Sequence, residues 1–88
     1  MITRKKALPD TSAISIADLF GELGNDRFKE VIITQLADNS GTFYLGDSAQ
    51  RPVEIPVGTL GFNFGNTSLN ELYINGSTGD FVVFVGIE

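Results

Sequence analysis

The sequence predicts an all-β domain, mainly antiparallel, a small sandwich or barrel with one short N-terminal helix and an extended N-terminal arm. Three observations carry that prediction. β-Branched residues follow one another at Val31-Ile32-Ile33-Thr34, which suits a pleated sheet and crowds a helix. Apolar residues alternate at Leu60, Phe62 and Phe64, and again at Phe81, Val83, Val85 and Ile87, the two-residue period of a strand. Clusters of turn formers, Ala37-Asp38-Asn39-Ser40-Gly41 and Asn75-Gly76-Ser77-Thr78-Gly79-Asp80, separate the apolar runs.

Residues 1–11 (MITRKKALPDT) read as the arm, because Pro9 precludes a regular helix through them and no apolar period is present. Residues 12–88 read as a single small β domain. Its only helix candidate spans residues 12–24, where Ile16, Leu19, Phe20 and Leu23 fall at i, i+3, i+4 and i+7. Ser15 is placed to cap the start, with Asp18 three positions on, and Gly24 to end it. Gly21 inside such a helix costs about 1 kcal/mol relative to Ala. The competing reading takes Ile14 and Ile16 as a short strand.

Residues 28–36 (FKEVIITQL) are a strand, 37–41 a turn and 42–46 (TFYLG) the returning strand, so that 28–46 reads as a hairpin. After the loop 47–52, Val53, Ile55 and Val57 alternate with Glu54 and Pro56, a short edge segment at best. Residues 60–64 and 69–74 are further strands. In the latter, Leu72 and Ile74 share one face and Tyr73 takes the other. Residues 75–80 read as a hairpin loop leading to the last strand, 81–87 (FVVFVGI). There Phe81, Val83, Val85 and Ile87 face one way, Val82 and Phe84 the other, and both faces are apolar. A small antiparallel sheet normally keeps one face wet. Either the N-terminal helix or another subunit must therefore cover the second face.

Composition narrows the function. The 88 residues contain no His, Cys or Trp. That excludes a Ser–His–Asp triad, thiolate chemistry, disulfides and most zinc sites. The net charge of −5 is unevenly spread: Arg4, Lys5 and Lys6 stand in the first six residues, and the remainder holds three basic residues against all 11 acidic ones. An acidic body argues against nucleic acid as a partner. The basic N-terminus is either a docking arm or a solvated, frayed terminus. No apolar run has the length of a signal-peptide core or a membrane span, so a soluble protein made in a cytoplasm is expected. A chain this short with ten glycines is marginal alone, and oligomerisation is a common remedy.

No motif reads as catalytic. Asp38, Asp47, Glu54, Glu71 and Asp80 lie in turns or near strand ends, and Asp38-Asn39-Ser40-Gly41 is too compressed for a calcium loop. A Ser–Lys pair would have to draw on Lys5, Lys6 or Lys29, which lie in the arm or on the first strand. Gly58, Gly61 and Gly65 precede no helix that would complete a phosphate cradle. Tyr44 and Tyr73 are the only amphipathic aromatics, and the phenylalanines suit a core or an oligomer interface. The expectation is a protein that is not an enzyme and uses no cofactor or metal.

Residues 30–88, about two-thirds of the chain, resemble a known pattern. The run Val31-Ile32-Ile33-Thr34-Gln35-Leu36-Ala37-Asp38-Asn39-Ser40-Gly41-Thr42-Phe43-Tyr44-Leu45-Gly46-Asp47-Ser48 is similar to one common in small bacteriophage virion proteins. In these an apolar strand and polar turn precede a strand of the type T-V-Y-L-G-G/D-S. Ile55-Pro56-Val57-Gly58-Thr59-Leu60-Gly61-Phe62-Asn63-Phe64 resembles the family's P-L-x-x-G-E-x-L-x-L. Leu69-Asn70-Glu71-Leu72-Tyr73-Ile74, followed by Gly79-Asp80-Phe81-Val82-Val83-Phe84-Val85, resembles its closing L-x-E-L-Y-x-x-A…G-x-V-x-V. The chain departs from the pattern at residues 58–61 and has its own first 29 residues.

The resemblance implies a non-enzymatic phage virion structural protein. It would be a capsid decoration (cement) subunit on the capsid surface, stabilising the shell through oligomeric contacts of its β domain. A homotrimer is favoured, with the major capsid protein as partner and neither nucleic acid nor membrane. A tail or head-fibre base or receptor-binding β module, and a head–tail adaptor, are the alternatives. The expected shell contacts are Arg4, Lys5 and Lys6. The expected core and subunit interface are Phe62, Phe64, Phe81, Val83, Phe84 and Val85.

Overall fold

The structure, a computed structural model, describes residues 1–21 and 27–88. In chain order the elements are β1 (Ile2–Ala7), β2 (Ile14–Ser15), α1 (Ile16–Phe20), β3 (Arg27–Phe28), β4 (Glu30–Gln35) and β5 (Phe43–Gly46). Then follow β6 (Val53–Ile55), β7 (Phe62–Asn63), β8 (Thr67–Ser68), β9 (Tyr73–Asn75) and β10 (Phe81–Ile87). One four-stranded sheet has the order β1-β10-β4-β7 and a second β2-β9-β5-β6, while β3 and β8 form a small ribbon. The pairings are antiparallel throughout the described residues. Among the described residues the protein is mainly antiparallel β with one short helix, the fold class the sequence predicts.

The inner faces of the two sheets close one apolar core. Val31 and Ile33 of β4 and Val82 and Phe84 of β10 meet Phe43, Leu45, Ile55 and Ile74 of the second sheet in that cluster, and all are fully buried. Phe84 is its aromatic centre. Its ring lies 5.5 Å from that of Phe20 in α1 and 5.7 Å, edge-on, from that of Phe28 in β3. Gly86 makes room for this: a Cβ there would stand 2.8 Å from the Phe28 ring and 2.9 Å from Phe84.

The structure resolves the ambiguity around residue 14 by using both readings. Ile14–Ser15 is a two-residue strand on β9, and Ser15 then caps α1 by accepting from the Asp18 N–H at 3.0 Å. The free N–H groups of Ile16 and Ala17 donate to the carbonyls of Leu72 and Leu69, which docks the helix on that turn. The helix is shorter than expected, because Gly21 (φ 59°) ends it instead of lying inside it. The predicted stop at Gly24 and the apolar position Leu23 lie outside the described residues.

Three other expectations are corrected. The arm is not separate from the sheet over residues 2–7: β1 pairs with β10 along its whole length, from Ile2 opposite Gly86 to Ala7 opposite Phe81. Residues 28–46 are not a hairpin, since β4 lies in one sheet and β5 in the other, and residues 75–80 likewise carry the chain from β9 across to β10. The hairpin in this part of the chain is β5–β6. Residues 60–64 form only the two-residue strand β7, with Leu60 outside it and 82% exposed, and 69–72 are a turn ahead of β9.

Candidate functional site

Alternation along β10 divides the expected interface residues. Phe84 is on the inner face and fully buried. Phe62, opposite Ile33, and Phe64 are half-buried against the rim of the core, with their rings 4.8 Å apart. Neither belongs to the outer surface of the sheet. Phe81, Val83 and Val85 do, and Ile87 continues their row. Register adds Ile32, opposite Val85, and Thr34, opposite Val83, because directly paired residues share a face. The result is a continuous apolar surface, with Phe81 43% exposed and the others half-buried.

The same rule separates the three basic residues. Lys5 is opposite Val83, hence on the outer face, and its Nζ stands 4.7 Å from the centre of the Phe81 ring. Arg4 and Lys6, opposite Phe84 and Val82, leave the strand on the inner side, and both are exposed. They are not one basic patch. At the far end of the outer face Glu30, opposite Ile87, accepts from the Asn63 side chain at 3.1 Å. The N-terminal amine of Met1 pairs there with Glu88 at 3.5 Å.

The edges of both sheets are guarded. β1 presents exposed Thr3, Arg4, Lys5 and Lys6, and β7 and β2 are two residues long. β6 is three residues long and bracketed by Pro52 and Pro56. Charge, brevity and proline all discourage strand addition. Association by edge pairing is therefore disfavoured, while the outer face of β10 and β4 remains open.

A second polar cluster pins the ends of the sandwich. Buried Asp80 accepts from the backbone N–H of Ser40 and of Gly41, each at 3.0 Å, and from the Ser40 hydroxyl. Burial pushes the Asp80 carboxyl up, but these donors outweigh it and hold the group below the ordinary carboxylate range. Asn39 clasps the backbone of Phe81 from both sides, donating to its carbonyl at 2.8 Å and accepting from its N–H at 2.9 Å, and also donates to the Gln35 side chain. Fully buried Gln35 donates to Gly41 O at 2.8 Å. Each polar group is satisfied within the protein, so the cluster reads as a clamp between the two crossing loops. Residues 36–42 look like a local turn in the sequence, and no signal there shows that Asn39 and Ser40 serve residues some forty positions on.

In the β5–β6 loop, the N–H groups of Gln50 and Ala49 donate to the Asp47 carboxylate at 2.7 and 2.8 Å. They hold its pKa down, slight burial opposes them, and Arg51 adds attraction. Arg51 fastens the loop to β9 through Asn75 Oδ1 at 2.8 Å. Among the described residues there is no enclosed pocket, and no group of three or more acidic side chains is placed to hold a metal ion. No helix among them is long and apolar enough to cross a membrane. No family model, no curated protein and no solved structure matches the chain.

Proposed function

We propose that this chain is a non-enzymatic structural subunit of a phage virion, decorating the capsid and stabilising it by burying its outer β10–β4 face against other protein. The observation that carries the reading is that face: five apolar side chains, Ile32, Phe81, Val83, Val85 and Ile87, project from a sheet whose other side already closes the core. A contiguous apolar patch on a domain this small marks an interaction surface. The resemblance of residues 30–88 to virion proteins supplies the setting. Lys5 stays with this surface as a polar contact, whereas Arg4 and Lys6 leave β1 on the other side.

Virions purified from the source of this sequence, analysed by quantitative mass spectrometry, test the proposal. The expected result is this chain in fixed proportion to the major shell protein. A Val83→Asp/Val85→Asp variant, folded by circular dichroism, is expected to be missing from the particles. Particles without the unaltered chain overturn the reading.

A further inference from the structure

The outer face is charged at two opposite corners, with opposite sign. Lys5 stands on β1 in the row of Val83, and Glu30 stands on β4 in the row of Ile87. The apolar residues Ile32, Val83 and Val85 lie between them. Given the usual strand rise and spacing, the corners are roughly 13 Å apart along the strands and roughly 10 Å apart across them. We infer that the occupant of this face is a second copy of this chain, packed face to face about a two-fold axis that sets Lys5 of each copy against Glu30 of the other.

Symmetry supports this arrangement. A two-fold contact joins the same patch on both copies, so the patch must complement itself. A face with one positive and one negative corner around an apolar centre does so. An in-plane axis perpendicular to the Lys5–Glu30 line exchanges the corners, stacks Val85 on its own copy and brings Ile32 of each copy over Val83 of the other. That axis makes the strands of the two sheets cross at roughly 70°, close to the orthogonal class of sheet packing. The guarded edges leave face packing as the open mode. The inference rests on the outer face being the association surface, and it replaces the expected three-fold contact with a two-fold one.

Charge reversal tests it. Light scattering on the full chain should give twice the 9.5 kDa chain mass. Lys5→Glu alone and Glu30→Lys alone each set like charges together and should weaken the dimer by about tenfold or more. Mixing the two variants should restore it as a heterodimer, since every contact then joins opposite charges. The double variant K5E/E30K should dimerise by itself, which guards against loss of folding in the single variants. A monomer at millimolar concentration, a trimer, or a dimer indifferent to these reversals overturns the inference. The two readings fail separately. A Lys5–Glu30 dimer absent from virions removes the virion role and leaves the contact, whereas a monomer found in virions does the opposite.

Discussion

The two outer faces of the sandwich obey different rules. On the β2-β9-β5-β6 sheet, the inward residues Phe43, Leu45, Ile55 and Ile74 are backed by Tyr44, Glu54, Tyr73 and Asn75 on the outside. That is the ordinary alternation of a half-wet antiparallel sheet. On the other sheet, β10 places Val82 and Phe84 inside and Phe81, Val83, Val85 and Ile87 outside. One fold thus carries one face that folding alone explains and one whose apolar character folding does not require. The difference locates the surface on which association acts.

The largest effect expected on that contrast comes from the inner side of β10. Phe84→Ala removes the ring that joins Phe20 and Phe28 and should cost about 3–5 kcal/mol in urea unfolding. A loss under about 1 kcal/mol would mean that the core does not centre on this ring, and the distinction between the two faces of β10 would fail. Next comes Gly86→Ala, whose Cβ would press on Phe28 and Phe84 and should cost about 1–3 kcal/mol by overpacking.

What the sequence made legible follows the same division. β4 announces itself by its run of β-branched residues and β10 by its apolar run, and the outer row Phe81, Val83, Val85 and Ile87 was readable from the two-residue period of a strand. The Ser15 cap was equally readable, because its partner is three residues away. β1 was not. Its four central side chains are exposed, so an edge strand held by backbone pairing leaves no apolar period. The crossings between sheets were hidden for a different reason. Asp38-Asn39-Ser40-Gly41 has the chemistry of a hairpin turn, yet Asn39 is committed to Phe81 and Ser40 to Asp80. Local turn chemistry cannot distinguish a return to the same sheet from a crossing to the opposite one.

The Asp80 clamp gives the next prediction, and it depends on pH. The folded-state pKa of Asp80 lies below its unfolded value. The stability it contributes is therefore fully present above the unfolded pKa of about 3.9 and is lost as pH falls through the folded pKa. Asp80→Asn should cost about 1–3 kcal/mol at neutral pH, the scale of hydrogen bonds to a charged group. It should also flatten the acid limb of a stability–pH curve. An unchanged acid limb would remove the clamp from the account of how the two sheets are joined.

The smallest expected effect is also the sharpest test of the two faces, and it needs a matched pair. Val85→Thr on the outer face of β10 and Tyr44→Thr on the outer face of β5 both keep a good strand former at a position outside the core. Each should shift the unfolding free energy of the monomer by no more than about 0.5–1 kcal/mol. Their effects on association should differ. Val85→Thr puts a hydroxyl where two apolar faces meet, and a buried hydroxyl without a partner opposes contact, so self-association should weaken. Tyr44, 39% exposed on the polar face, should be silent in the same light-scattering series. If both substitutions weaken association, the contact surface extends around the sandwich. If neither does, the apolar outer face of β10 is not where copies meet. Only the asymmetric result ties association to β10, whose outward residues Phe81, Val83, Val85 and Ile87 break the polar-out rule.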